Sequence, residues 1–238
     1  MIEVSDLAVN FGGVVSLDGM NVTFPTETCG LIGPNGAGKT TFFNVLSGFV
    51  TPRRGTVVCD GTDVLAMPHY KRARWGVRRT FQTEQAIESL TLFNNVLMVQ
   101  ENSDTHGRND RTMVMEALEL VGLSALAAQP IGAFGARERR FVEVARAIVG
   151  RPKMVLLDEP AAGLPDEETT SLRDVIAQIP ARTGATVVLV DHDMALVQAC
   201  CTTTAVLDFG RLLAAGPTAE VLRNSRVMEA YLGTQDTE

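Results

Sequence analysis

The chain has 238 residues, 45% hydrophobic and 21% charged, which suits one large globular domain, or a core with a subdomain, rather than a disordered or fibrous chain. Its formal net charge of −7 disfavours non-specific nucleic-acid binding, and no nucleic-acid partner is expected. No apolar run approaches the roughly 20 residues that span a bilayer, and Met1-Ile2-Glu3-Val4-Ser5-Asp6 is unlike a signal peptide, so any membrane is expected to be reached through a partner.

Residues 2–10 alternate apolar and polar side chains and predict an antiparallel strand, followed by a turn at Gly12-Gly13 and a second strand over 14–24. Phe11, at the end of the first strand, is either a core aromatic or a platform for an adenine ring. The apolar run 28–32 predicts a buried strand. It leads into Gly33-Pro34-Asn35-Gly36-Ala37-Gly38-Lys39-Thr40-Thr41, which fits the phosphate-loop pattern of glycine, four residues, then Gly-Lys-Thr. A helix is predicted to start at Thr40, with Phe42, Val45 and Leu46 on one face. Gly33, Gly36 and Gly38 let the backbone approach a phosphate with no Cβ in the way. Successive amides and the helix N-terminus then point at the anion. Lys39 is placed to reach the β- and γ-phosphates and the Thr40 hydroxyl to hold Mg²⁺, so ATP with Mg²⁺ is the expected ligand.

Beyond the loop, 56–59 predicts a short strand, Asp60-Gly61 a hairpin turn, 67–75 a helix and 77–81 a strand ending at Gln82. The basic residues Lys71, Arg72, Arg74, Arg78, Arg79, Arg137, Arg139 and Arg140 are expected to be mostly solvated surface. From about Thr83 to Gly150 the pattern is helical, with segments starting near Leu90, over 111–121 with Gly122 at the end, and over 136–149. This block reads as a helical insertion, 83–150, within an α/β core formed by 1–82 and 151–238.

The α/β pattern resumes at Pro152. Residues 153–157 predict a buried strand ending in Asp158-Glu159-Pro160, 166–179 an amphipathic helix, and 185–190 a strand ending in Asp191-His192-Asp193. A helix over 194–200, a hairpin of 204–207 with 212–215, and two short terminal helices follow. Apolar strands alternating with helices imply a mostly parallel sheet covered on both faces. The four cysteines, Cys29, Cys59, Cys200 and Cys201, lack metal-ligand spacing and read as buried thiols of a reducing compartment.

A carboxylate pair at a strand end is what a phosphate loop needs. Asp158 is the candidate acidic element beside Mg²⁺, and Glu159 the candidate general base for the attacking water. An acidic helix cap is the plainer alternative, but it predicts no apolar run ahead of it. His192 also follows an apolar strand directly, at the strand end where open α/β sheets contact ligands, and is placed to hydrogen-bond a γ-phosphate. His69 and His106 lack such context.

The phosphate loop, Gln82 after a strand, Leu157-Asp158-Glu159-Pro160 and His192 come in the order of an ABC-type ATPase subunit, and the chain resembles that family over essentially its whole length. The resemblance implies a P-loop (RecA-like) core with an antiparallel β-subdomain and an inserted helical subdomain. It implies roles for Phe11 as adenine-stacking aromatic, for Gln82 as the glutamine that contacts Mg²⁺ and couples to the helical subdomain, and for His192 as switch histidine. It further implies dimers that sandwich two ATP molecules, each between one phosphate loop and the partner's signature motif. Asn10-Phe11-Gly12-Gly13, Arg79-Thr80-Phe81-Gln82, Asp158-Glu159-Pro160-Ala161-Ala162-Gly163-Leu164, Asp191-His192-Asp193-Met194 and Ala230-Tyr231-Leu232-Gly233 are similar to the branched-chain amino acid importer ATPases of the LivG type and to the related urea and amide importers.

The signature departs from the family's Leu-Ser-Gly-Gly-Gln or Glu. The matching residues are Phe134-Gly135-Ala136-Arg137-Glu138; alternatively Ala133-Phe134-Gly135 matches an Ala-Tyr-Gly variant with two extra residues. Either way the serine hydroxyl is lost, and Arg137 either adds charge towards the phosphate or blocks it. The expectation is an importer's ATP-hydrolysing subunit, cytoplasmic and peripheral on the inner face of the plasma membrane, paired with a second, non-identical ATPase subunit, with membrane permease subunits and a solute-binding protein. The alternatives are a soluble non-transport ABC ATPase and a nucleotide-binding regulatory subunit.

Overall fold

The computed structural model describes residues 1–81, 85–107 and 109–232. In chain order the elements are β1 (Ile2–Phe11), β2 (Val14–Phe24), β3 (Thr28–Ile32), α1 (Lys39–Ser47), β4 (Arg54–Cys59), β5 (Thr62–Asp63), α2 (His69–Trp75), β6 (Val77–Arg79), α3 (Leu92–Glu101), α4 (Asp110–Leu120), α5 (Ala136–Ile148), β7 (Met154–Asp158), α6 (Asp166–Thr183), β8 (Thr186–Val190), α7 (Met194–Cys200), β9 (Thr203–Asp208), β10 (Arg211–Pro217), α8 (Thr218–Val221) and α9 (Ser225–Leu232).

The strands form two sheets. One is antiparallel, in the order β2-β1-β4-β5; the other runs β10-β9-β3-β8-β7-β6. Every pairing in the second sheet is parallel except β9 with β10. Its three central strands, β3, β8 and β7, are buried at every position, which is why each is a near-continuous apolar run rather than an alternating one. One core gathers side chains of α3 to α7 against one face of this sheet. The other lies between the two sheets and around α1, with Phe24, Phe42 and Phe43 fully buried. The stretch between β6 and β7 contributes helices and no strand among the described residues.

Two sequence expectations needed correction. The amphipathic helix was expected to stop at Ile179, before Pro180, yet α6 runs on to Thr183. Pro180 has no N–H to give the Ile176 carbonyl. The Thr28 hydroxyl of β3 donates to that carbonyl instead, at 3.5 Å, and Gly184 closes the helix with its N–H on the Pro180 carbonyl. The second correction concerns the basic cluster: Arg72, Arg78 and Arg140 are buried, and the Arg79 side chain is only 8% exposed. Arg72 donates to the Val45 and Leu46 carbonyls at the end of α1 and to those of Met67 and Leu65. A cation there satisfies the orphan carbonyls of a helix C-terminus and complements its dipole.

Candidate functional site

The loop between β3 and α1 is shaped by contacts that only glycine permits. Gly33 has φ 152°, and a Cβ there would lie 2.1 Å from the Leu207 carbonyl oxygen. Gly38, the residue before α1, has φ 107°, and its Cβ would meet the Ser16 carbonyl at 2.6 Å. The loop is thus clamped between β9 and β2. Ser16 Oγ and Thr41 Oγ1 share a hydrogen bond of 2.7 Å, which fixes the start of α1 to β2. Lys39 is buried and donates to the Gly33 and Pro34 carbonyls at 2.6 and 3.0 Å. Its ammonium therefore folds back over the loop. Burial lowers its pKa, and the Glu159 and Asp158 carboxylates oppose that shift. Thr40 is exposed, and Phe11, at the end of β1, is 52% exposed, which fits a stacking platform and not a core aromatic. Beside the loop, Pro34, Asn35 and Ala37 share a cavity of about 280 Å³ with Phe209 and with Glu229 of α9.

The carboxylate side comes from β7 and β8. Asp158 ends β7, and its N–H donates to the Thr80 hydroxyl at 3.1 Å. Glu159 follows in the left-handed region at φ 48°, a conformation that costs a non-glycine residue about 1–3 kcal/mol. Its N–H donates to the Val190 carbonyl at 2.8 Å, so pairing across to β8 holds the strained residue in place. The Glu159 carboxylate lies 3.0 Å from His192 Nε2. Asp191 Oδ1 accepts from the Asp193 N–H at 2.9 Å and Oδ2 from the Ala161 N–H at 3.5 Å. It thereby ties the loop after Glu159 to the loop carrying His192. Burial raises the Asp191 pKa above the ordinary carboxylate value, while those backbone donors pull it down.

Sequence reasoning missed Arg79. Its Nη2 donates to Asp158 Oδ2 at 2.7 Å and its Nη1 to Asn44 Oδ1 of α1 at 2.7 Å, and its guanidinium lies over the rings of Phe43 and Phe81. The only signal was the wording Arg79-Thr80-Phe81-Gln82, which carried no separate role for the arginine. Asp158 Oδ1 accepts no hydrogen bond among the described residues. The exposed Thr40 hydroxyl and this free carboxylate oxygen are hard oxygen donors of the kind Mg²⁺ takes alongside phosphate and water. No cluster of three or more His, Cys, Asp or Glu residues exists among the described residues to hold a metal alone. The donors therefore fit a cation that arrives with the nucleotide. Gln82 lies outside the described residues.

The structure brings Lys39, Asp158, Glu159 and His192 together beyond the carboxyl ends of the central strands β3, β7 and β8. The stretch 134–138 is placed apart: Phe134 precedes α5, Gly135 is its N-terminal cap with no side chain to cap with, and Arg137 folds back on Glu138 and over the Phe141 ring. Arg139 pairs with Glu88 at 2.7 Å. Among the described residues, no hydrogen bond joins this stretch to the phosphate loop.

Comparison with known proteins returns ATP-binding cassettes. The model of the ABC transporter family matches residues 17–162. The chain belongs to the ABC transporter ATP-binding family. A second model, of the branched-chain amino acid ATP-binding cassette transporter, matches residues 211–237. The chain is 36% identical to the high-affinity branched-chain amino acid transport ATP-binding protein BraF of Pseudomonas aeruginosa, and 34% identical to LivG of Escherichia coli K12, covering 98% of each pair in both cases. Among solved structures, the ADP conformation of MJ1267, an ATP-binding cassette of an ABC transporter, superimposes with a TM-score of 0.87 at 25% identity over 98% of both chains. ABC cassettes of this family are ATPases coupled to transport, and this chain has their fold.

Proposed function

We propose that this ABC ATPase drives import of branched-chain amino acids or a related small polar solute, and that it works as one half of an unequal pair of ATPase subunits. The match to BraF and LivG along nearly the whole chain, together with the branched-chain model over 211–237, supports the solute class. In this reading the chain sits on the cytoplasmic face of the plasma membrane against permease subunits served by a solute-binding protein. The segments 1–82 and 151–238 act as the catalytic core and 83–150 as the helical subdomain.

At the chain's own phosphate loop, the amides of 33–41 and Lys39 hold the β- and γ-phosphates, and Phe11 stacks on the adenine. Thr40, Asp158 and Gln82 are the residues that would hold Mg²⁺, which supplies charge neutralisation of the phosphates. Glu159 takes the proton of the attacking water, and its contact with His192 holds the carboxylate towards the nucleotide. The second site is weaker. The N-terminus of α5 offers a γ-phosphate no hydroxyl at Gly135, and Arg137, where the family has a glycine, is turned onto Glu138 and the Phe141 ring.

The observation that carries the asymmetry is the contrast between a complete loop-and-carboxylate set and an α5 cap without a side-chain donor. ATPase measured on the purified chain alone and with its partner ATPase tests it. Slow turnover alone and brisk turnover in the pair are expected; brisk turnover by the homodimer overturns the unequal pair.

A further inference from the structure

Between α4, the end of α5 and the end of α6 lies a pocket of about 330 Å³. It shares no residue with the phosphate loop, nor with Asp158, Glu159 or His192. Its size is at the small end of ligand pockets, roughly 300–1,000 Å³, which suits a metabolite and not a protein segment. Met113, Glu116, Ala117 and Leu120 bring one face of α4 to it, at the i, i+3, i+4, i+7 spacing of a helix. Met113, Ala117 and Leu120 join Ile148 of α5 in an apolar floor continuous with the core.

Three charged side chains line the same pocket: Glu116, Arg151 and Arg182. All three are exposed, and none forms an ion pair or side-chain hydrogen bond among the described residues. Arg182 reaches its place on the turn of α6 that runs past Pro180. A cation there also complements the helix dipole, but that does not account for Arg151. Arg151 has φ 57°, directly after Gly150 at φ 75°, a backbone state that costs a non-glycine residue about 1–3 kcal/mol. A buried network holds this turn. Thr105 Oγ1 donates to the Gly150 carbonyl at 2.7 Å, and the fully buried Gln100 donates to the Thr105 carbonyl and to Asp110, the first residue of α4. The start of α4 and the turn carrying Arg151 are therefore fixed to each other before any ligand arrives, which cuts the ordering cost of binding.

We propose that this pocket binds a free aliphatic α-amino acid. Arg151 and Arg182 take the α-carboxylate, which a guanidinium can hold bidentately. Glu116 takes the ammonium, and the apolar floor takes the side chain. Other small ligands leave groups unmatched. An inorganic anion meets Glu116 and an apolar floor, a hydrocarbon leaves three charges without partners, and a simple amine meets two arginines. Glu116 is on α4 and Arg182 on α6, so the bound amino acid links those helices. The assignment does not depend on what the chain transports. Its test involves no membrane, so its failure leaves the import reading standing.

The test is isothermal titration of the full chain with L-leucine. The comparison ligands are isocaproate, which lacks the ammonium, isoamylamine, which lacks the carboxylate, and inorganic phosphate. Leucine is expected to bind most tightly and to raise Tm in a concentration-dependent way. Arg151→Gln and Arg182→Gln should each weaken leucine about tenfold. Glu116→Gln should weaken leucine to a similar degree and leave isocaproate bound as well as before or better. Arg151→Gly suits the left-handed turn, so it should keep or raise the Tm of the free chain while still losing leucine affinity; a merely structural arginine would leave that affinity unmoved. No leucine binding up to its solubility limit, or equal affinity in wild type and all the charge variants, overturns the site. Phosphate, isoamylamine or isocaproate binding more tightly than leucine to wild type overturns the amino-acid class.

Discussion

Glu159 and Asp191 show how the site is built one residue at a time. Glu159 occupies a left-handed backbone position beside His192, so it is aimed by the chain and not by rotamer choice alone. Glu159→Gln keeps the shape and removes the base. We expect turnover in the assembled transporter to fall by about 10²–10⁴ with ATP still bound, read by single-turnover hydrolysis and by retention of labelled ATP; surviving turnover would show the base lies elsewhere. Asp191 gives a pH signature. Its folded pKa is raised above the ordinary 3.8, so the folded chain holds this proton more tightly than the unfolded chain does. Stability from this group is greatest at low pH, declines as pH climbs from 3.8 through the raised value, and is flat beyond it. Across that window the urea midpoint of wild type should fall relative to that of Asp191→Asn, which has no carboxyl to titrate there.

Among the secondary-structure elements, the readable and the hidden parts separate by distance along the chain. The strands β3, β7 and β8, the phosphate loop and α7 were legible because burial on both faces, or phosphate chemistry, writes itself into consecutive residues. The extension of α6 past Pro180 was not, because its remedy, Thr28, lies 148 positions from the Ile176 carbonyl it reaches. Arg79 and Asp158 are 79 positions apart, so their pairing has no local pattern. Arg72 looked like a surface cation because only the folded chain puts the end of α1 beside it. The Thr28 remedy can be tested by a double-mutant cycle. Thr28→Val should cost about 1 kcal/mol in urea unfolding, and Pro180→Ala, which supplies its own N–H, should remove most of that cost in the double variant. Equal costs in both backgrounds would deny the link.

Over the whole molecule, the four cysteines lie buried as free thiols, and burial pushes Cys29 and Cys59 up to about 11 and Cys200 to about 12. At pH 8 the folded chain should therefore react with a thiol reagent only as fast as it opens, and all four sites should react together once it is denatured. A fast-reacting thiol in the native chain would contradict this packing.

Arg79 has a consequence beyond its own contacts. One guanidinium grips Asp158 in the candidate site and lies 5.2 Å from the centre of the partly exposed Phe81 ring. Two ligands that compete for, or cooperate through, a shared group obey reciprocity: whatever factor one imposes on the other's affinity is returned unchanged. If a membrane subunit seated against Phe81 shifts Arg79, MgATP affinity changes by some factor. Titrating the membrane subunits with and without MgATP must then yield that same factor. Arg79→Lys, which keeps the charge but loses the fork that spans Asp158 and Asn44, should bring both factors towards one. In these terms the arginine between Asp158 and Phe81 is a thermodynamic ledger line common to two ligands, and its value can be read from either end.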